Sequence, residues 1–152
     1  MEVIMKQNLS NEEIVFFYNL LFRYEHETLA GYKDDDVMRV IGSKIVIDDN
    51  HTDDEILSYV KDNCIQYAYR KNKCRAILRH IRNAFAHGNI QSTEKYSVFI
   101  MKDYDDPSKR KKCNMLAKVN KGYFYELIDA MESTRKKPSQ KINSKPQNND
   151  KR

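Results

Sequence analysis

The sequence predicts a mainly α-helical domain to which one β-hairpin is added. Along most of the chain, apolar residues recur at steps of three and four, which is the period of an amphipathic helix. Between about residues 96 and 119 the period becomes two, which is typical of strands. The 152 residues are 40% hydrophobic and 32% charged, which suits one soluble domain. We therefore expect a single domain over residues 1–134.

The first predicted helix begins at Ser10, because Glu13 lies three residues later and completes a capping box. We expect this helix to end near Gly31, where glycine can adopt the left-handed conformation that stops helices. A second, short helix opens on three aspartates, which suit the positive end of a helix, and ends near Gly42. Residues 44–47 are either a short strand or a buried connector.

Thr52 and Glu55 repeat the spacing of a capping box, and a helical stripe of apolar residues follows as far as Ala68. The next helical segment runs from about residue 73 to residue 86, after a break near residue 71 or as part of one long helix. A hairpin over about 96–119 follows, with a polar loop that contains Pro107. The apolar spacing from Tyr123 onwards then predicts the last helix.

Charge is distributed very unevenly along the chain. Residues 1–69 carry 6 Lys/Arg and 14 Asp/Glu, residues 70–134 carry 14 and 7, and residues 135–152 carry 7 and 1. The last segment has almost no apolar residues, so we expect a disordered basic tail. No Asp or Glu occurs in residues 63–93. Such asymmetry favours binding to nucleic acid, to an acidic partner, or between two copies of opposite charge.

The helix over residues 73–86 has two distinct sides on a helical wheel. One side is apolar, and a second stripe holds Arg75, Arg79 and Arg82. Arg82 lies nearest the apolar border, where a packed stem would hold its guanidinium for a bidentate phosphate contact. Asn83 lies on the polar side, and His87 falls at the helix end. His80 projects away from both stripes, as a surface residue or an RNA contact.

The hairpin loop adds a second basic candidate for RNA contact, formed by Lys109, Arg110, Lys111 and Lys112. The three cysteines and four histidines lack the spacings of zinc sites, and three is an odd number for a disulfide framework. We expect no metal site, reduced thiols and a cytoplasmic location. The chain has no apolar run near the roughly 18 residues of a membrane span, so no membrane partner is expected.

The run of residues 81–89 resembles the signature of the HEPN superfamily, the higher eukaryotes and prokaryotes nucleotide-binding domains. That signature is an arginine, a polar residue, three variable residues and a histidine, near the end of a long helix. Here those positions are Arg82, Asn83 and His87. The sequence looks most like small, mostly prokaryotic and plasmid-borne members, in which a hairpin and a final helix follow the motif. The looser match covers roughly residues 10–133.

The resemblance implies an up-and-down bundle of four to five helices, with the hairpin between the motif helix and the last helix. It also implies a homodimer with a composite active site, and a metal-independent endoribonuclease without cofactors, in a toxin–antitoxin or antiviral defence role. An antitoxin or another defence-system protein is a possible partner. One branch has a tyrosine two residues after the histidine, which its antitoxin modifies with adenylate. Asn89 stands there in this chain, which argues against that mode of regulation and leaves other antidotes open.

The residue types suit this chemistry independently of the family. Attack of an RNA 2′-hydroxyl on the adjacent phosphate needs a group that transfers protons near neutral pH. Histidine suits this role because its unperturbed pKa lies close to neutral pH. It also needs positive charge on the phosphate, which arginine supplies. Two copies of His87 in a dimer could share the roles of base and acid, with Asn83 orienting His87 or binding a phosphate oxygen. The alternatives are a catalytically inactive HEPN-like module that binds RNA or a nucleotide, and an accessory interaction protein.

Overall fold

The computed structural model describes residues 8–26, 32–105 and 112–134. In these ranges the chain forms four helices and five strands. In chain order they are α1 (Asn11–His26), α2 (Asp34–Ile41), β1 (Val46–His51), β2 (Cys64–Ala68), α3 (Lys73–Ala86), β3 (Ile90–Thr93), β4 (Val98–Tyr104), β5 (Cys113–Asn120) and α4 (Lys121–Thr134). The five strands form one mixed sheet, so this is an α/β fold. The prediction of a mainly α, up-and-down bundle is therefore wrong.

Three expectations fall outside the described residues. They are the end of the first helix near Gly31, the loop residues Lys109, Arg110 and Lys111, and the tail over 135–152.

The start of α1 follows the predicted capping box. The Glu13 amide donates to Ser10 Oγ at 3.1 Å, and the Ser10 amide donates to Glu13 Oε1 at 3.0 Å. The end of α2 also agrees with the sequence, because Gly42 has φ +60° and its amide donates to the Met38 carbonyl at 2.9 Å. Local signals therefore set both helix boundaries.

The strands are ordered β1-β2-β5-β4-β3 across the sheet. β1 runs parallel to β2, and every other neighbouring pair is antiparallel. β4 and β5 occupy the region of the predicted hairpin, and in their register Phe99 lies opposite Val119. The edge strand β3 corresponds to no predicted element. The edge strand β1 overlaps the short strand that was one of the two alternatives for residues 44–47.

The predicted helix over residues 52–68 is also wrong. Half of the second capping box forms, since the Thr52 amide donates to Glu55 Oε1 at 2.8 Å, but the chain makes only a turn there. Asn63 then has φ +54°, which no right-handed helix accommodates. β2 is an interior strand of the sheet and is buried on both faces, and periodicity alone cannot separate such a short apolar run from a helix.

The main core lies between the helices and one face of the sheet. α3 packs against β4, α4 against β5, α1 against α3, and α2 against α4. Phe17, Phe99 and Phe124 meet at its centre with ring centroids 5.3 to 5.8 Å apart. A smaller cluster forms where Leu57, in the connection from β1 to β2, packs with Leu116 and Cys113. No helix in the described ranges has the length and apolar character to span a membrane.

Candidate nucleic-acid interface and active site

α3 buries its apolar side and exposes its arginines. Arg75 and Arg79 are exposed and Arg82 is half-buried, whereas Cys74, Ile77, Leu78, Ile81 and Ala84 are buried. We call Arg75, Arg79 and Arg82 the arginine row. Because a helix rises 1.5 Å per residue, the row extends for about 10 Å along α3. The helical wheel drawn from the sequence therefore predicted both faces of α3.

A shallow basic depression lies at the start of α3. Its volume is about 300 Å³, and it is lined by Arg70, Lys71, Asn72, Arg75, Ala76 and Arg79. No hydrogen bond or ion pair joins Arg75 or Arg79 to another described residue. Both guanidinium groups are therefore available to an anionic ligand as far as the described part of the chain is concerned.

Carboxylates from the acidic half of the chain neutralise the residues that lead into α3. Arg70 pairs with Asp53 at 2.8 Å, and Lys73 pairs with Asp49 at 2.6 Å. The hydrogen bond from Arg70 is the main reason why the pKa of Asp53 lies below its ordinary value. The positive charge that remains belongs to the exposed Lys71 and to the arginine row.

The N-terminus of α3 is capped by a side chain from another helix. Asn72 occupies the N-cap position but makes no side-chain capping bond. Instead, the Asp34 carboxylate at the start of α2 accepts from the amides of Lys73 at 2.7 Å and Cys74 at 3.2 Å. A carboxylate at this end of a helix satisfies free amides and favours the helix dipole.

The C-terminus of α3 forms a Schellman motif around His87. Gly88 has φ +74°, its amide donates to the Phe85 carbonyl at 3.1 Å, and the Asn89 amide donates to the Ala84 carbonyl at 2.7 Å. His87 occupies the C-cap position, and its side chain is exposed. The Asn89 carbonyl then accepts from the Lys102 amide at 3.1 Å, which ties the end of α3 to β4.

A hydrogen-bonded chain of side chains connects the arginine row to β4. Arg82 Nη1 donates to Asn83 Oδ1 at 2.9 Å, and Asn83 Nδ2 donates to Asp103 Oδ2 at 3.3 Å. The same oxygen of Asp103 accepts from His80 Nδ1 at 2.7 Å. Asp103 and His80 are buried, with 5% and 6% of their surfaces exposed. The arginine of this hydrogen-bonded chain, Arg82, is therefore linked through Asn83 to the buried carboxylate of Asp103.

The comparison with protein families decides the family. The family model described as HEPN pEK499 p136 matches residues 10–141. The chain belongs to this HEPN family. Searches of curated proteins and of solved structures give no match.

The HEPN motif is placed at the end of a long helix, as its resemblance implied. Arg82 and Asn83 lie in the last turns of α3, and His87 closes it. The Asn83 side chain bonds Arg82 and Asp103, and its backbone carbonyl accepts from the His87 amide at 3.1 Å. Two roles are expected for the Asn83 side chain from the sequence, orienting His87 or binding a phosphate oxygen. In the structure this side chain contacts the arginine of the motif instead of His87.

His80 does not lie on the surface of this HEPN domain, so that expectation is wrong. Its ring packs 5.7 Å from the ring of Tyr67 and is bonded to Asp103. With only 6% of the residue exposed, His80 offers RNA almost no surface. Burial follows from Asp103, because the carboxylate supplies a partner that a polar ring needs in a core.

Of the basic hairpin loop, only Lys112 is described, and it is half-buried immediately before β5. Lys112 and Arg79 both lower the pKa of Asp53 by charge interaction, after the larger effect of Arg70. These two cations therefore lie near the same carboxylate.

Sequence reasoning missed Asp103. The alternation in β4 places Phe99 and Met101 in the core, and Asp103 continues that inward series. An acidic residue at a core-facing position, beside an acid-free helix, was the available signal. In the described parts of the chain, no three His, Cys, Asp or Glu side chains are grouped so that they could hold a metal ion.

Proposed function

We propose that this HEPN chain is an endoribonuclease that cuts RNA without a metal ion. The observation that carries the proposal is the arginine row, which runs along the exposed side of α3 and ends at the Arg82–His87 motif. The row supplies positive charge for the RNA backbone. The motif supplies an anchored guanidinium and an exposed imidazole at one helix end.

In the proposed reaction, the 2′-oxygen of one nucleotide forms a bond to the adjacent phosphorus, and the bond from phosphorus to the 5′-oxygen breaks. A neutral imidazole of His87 accepts the 2′-hydroxyl proton, and a protonated imidazole donates a proton to the departing 5′-oxygen. The guanidinium of Arg82 stabilises the charge that develops on the phosphate oxygens. The products are a 2′,3′-cyclic phosphate and a 5′-hydroxyl.

This reaction needs two proton-transfer groups, which favours a composite site in a homodimer. The other histidine of α3, His80, is buried and bonded to Asp103, so it is unsuited to the second role. We therefore assign the second imidazole to His87 of another copy. α1 offers a surface for that copy through exposed apolar residues at helical spacing, Val15, Tyr18 and Phe22. Tyr18 contacts Phe85 edge-to-face at 5.4 Å, which places this surface beside the last turns of α3.

Cleavage of a labelled RNA in the presence of a chelator tests the proposal. We expect the wild type to leave 2′,3′-cyclic phosphate ends. His87→Ala and Arg82→Ala should each lower kcat by about 10²-fold or more, because each removes a group that acts on the transition state. Arg39→Ala is the matched control, since it removes an exposed arginine of α2. Equal cutting by the wild type and all three variants would refute the site assignment.

The binding alternative is supported by the arginine row itself, because phosphate binding requires charge but no histidine. Under that alternative, the wild type binds RNA and never cuts it. In either case Arg75→Ala and Arg79→Ala should each reduce the dependence of log K on log salt by about 0.7, since each removes one phosphate contact to a single strand. An unchanged salt dependence would exclude the arginine row as the RNA surface.

We further propose a toxin or anti-phage role, in which cleavage of cellular RNA stops growth. Induced expression of the wild type should arrest a bacterial culture, and expression of His87→Ala at the same level should not. Arrest by both proteins would separate any toxicity from the proposed active site.

A further inference from the structure

We propose that Asp103 is a positioning residue for Arg82, to which it is connected through Asn83. The catalytic consequence rests on the proposed ribonuclease function, whereas the positioning itself is a property of the fold. Asp103 lies in β4, 20 residues after Asn83, and belongs to no sequence motif. Only the tertiary structure brings it to α3.

The direction of the hydrogen bonds follows from the chemistry of the groups. A carboxylate only accepts hydrogen bonds, so the Asn83 amide must present its nitrogen to Asp103. The amide oxygen of Asn83 then faces the opposite way, where Arg82 Nη1 donates to it at 2.9 Å. A carbonyl oxygen is the only end of that amide that a guanidinium can bond. Asp103 therefore selects the orientation of Asn83 that holds Arg82.

The position of Asp103 is itself strongly constrained. Its backbone lies in β4 opposite Met115 of β5, and the neighbouring Lys102 amide bonds the Asn89 carbonyl just after α3. Its Oδ2 atom also accepts from the buried His80 ring. Because β4 is tied to the end of α3, Asp103 is an acceptor in a fixed position and can hold a side chain of α3 in place.

Positioning should affect catalysis more than RNA binding. An arginine side chain has large rotamer freedom, and misplacement of a catalytic group by about 1 Å can lower a rate about 100-fold. RNA affinity depends mainly on the exposed arginines of the row, which Asp103 does not contact. We expect loss of the acceptor to lower kcat about 10- to 100-fold with KM changed less than about threefold.

Three substitutions at this position separate the acceptor from the charge. Asp103→Ala and Asp103→Leu remove the acceptor, and the leucine refills the space. Asp103→Asn keeps an oxygen that can accept from both His80 and Asn83, so its kcat should stay within about threefold of the wild type. Asp105→Ala is the matched control, because it removes an exposed carboxylate next to the end of the same strand. All variants are assayed below their measured unfolding transitions.

A double-mutant cycle asks whether Asp103 acts through Asn83. In the Asn83→Ala background, Asp103→Ala should lower kcat by no more than about twofold, because the connection is already broken. Full additivity of the two losses, or equal kcat for Asp103→Ala and wild type, would overturn the proposal while leaving the ribonuclease function intact.

A second readout needs no catalysis. The side-chain amide resonance of Asn83, identified by its absence in Asn83→Ala, should shift in Asp103→Ala and stay in place in Asp105→Ala. If the wild type cuts no RNA, the ribonuclease proposal fails, and this resonance decides the positioning proposal alone. An unchanged Asn83 resonance in Asp103→Ala would overturn it.

Discussion

Asp34 should contribute measurably to the stability of this domain, because it caps a helix to which it does not belong. Its carboxylate accepts from the first two amides of α3, at 2.7 Å from Lys73 and 3.2 Å from Cys74. Asn72, the local N-cap residue, makes no side-chain capping bond. We therefore predict that Asp34→Ala leaves the start of α3 without a cap.

The expected loss can be built from two effects. Loss of a capping side chain lowers stability by about 0.5–2 kcal/mol. Loss of a negative charge at a helix N-terminus removes a further 0.3–1 kcal/mol or so. We expect Asp34→Ala to lower the free energy of unfolding by about 2 kcal/mol in all, which for a chain of this length lowers Tm by roughly 4–8 °C. Asp34→Asn keeps an acceptor and should lose about half as much.

Urea unfolding of the full chain, followed by circular dichroism, measures the effect. Asp35→Ala is the matched control, since the adjacent Asp35 is exposed, and it should change the free energy of unfolding by less than about 0.5 kcal/mol. Amide exchange at the start of α3 should accelerate only in the Asp34 variant. Equal losses in the two variants would show that the aspartates act through general charge and that the capping argument is wrong.

Other groups make further predictions. Burial by itself would raise the pKa of Glu13, but its bonds, above all that from Lys121, hold it below the ordinary value. The Glu13 contribution to stability should thus be present above the ordinary carboxyl pKa and fall as pH drops through the lowered one, and Glu13→Gln should lower stability at pH 7 by about 3 kcal/mol in urea unfolding. Bonds to Glu55 and then Asp48 raise the pKa of His51, so its contribution is present below pH 6.5 and lost as pH rises through the raised value. An NMR titration should show this midpoint move down in Glu55→Gln. Burial raises the pKa of all three thiols, which should react with a disulfide reagent at pH 8 only after unfolding: Cys64, Cys74 and Cys113.

Local signals in the sequence were enough for four helices and the hairpin. The bounds of α3 agree with the predicted segment over about residues 73–86, because its apolar stripe is long and a glycine follows it. The alternative of one long helix is wrong, because β2 precedes α3. The mixed sheet was not predictable in the same way. β1 pairs with β2 across a long connection, and β3 is only four residues long, so their pairing depends on partners far along the chain. The apparent helix before α3 failed because β2 is apolar on both faces.

The candidate site likewise has a part that local sequence signals predict and a part that depends on a distant strand. The arginine row and the motif lie on one helix, so a helical wheel was sufficient to find them. Asp103 comes from another strand, and it changes the environment of both His80 and Asn83. His80 lies in the core because a single buried acceptor, Asp103, bonds its ring. Residue type and spacing along α3 therefore could not determine the role of that histidine.

The acidic first half of the chain also has a more specific effect than general solubility. Asp34, Asp49 and Asp53 all act on residues at or just before the start of α3, through one helix cap and two ion pairs. Neutralisation at that end leaves Arg75 and Arg79 as exposed cations that lead towards Arg82. The Arg70–Asp53 pair is exposed and contributes little to stability, so its main consequence is where positive potential remains. The phosphate backbone of an RNA attracted to α3 would therefore meet the strongest positive potential along the arginine row, on the side of α3 that ends at the HEPN motif.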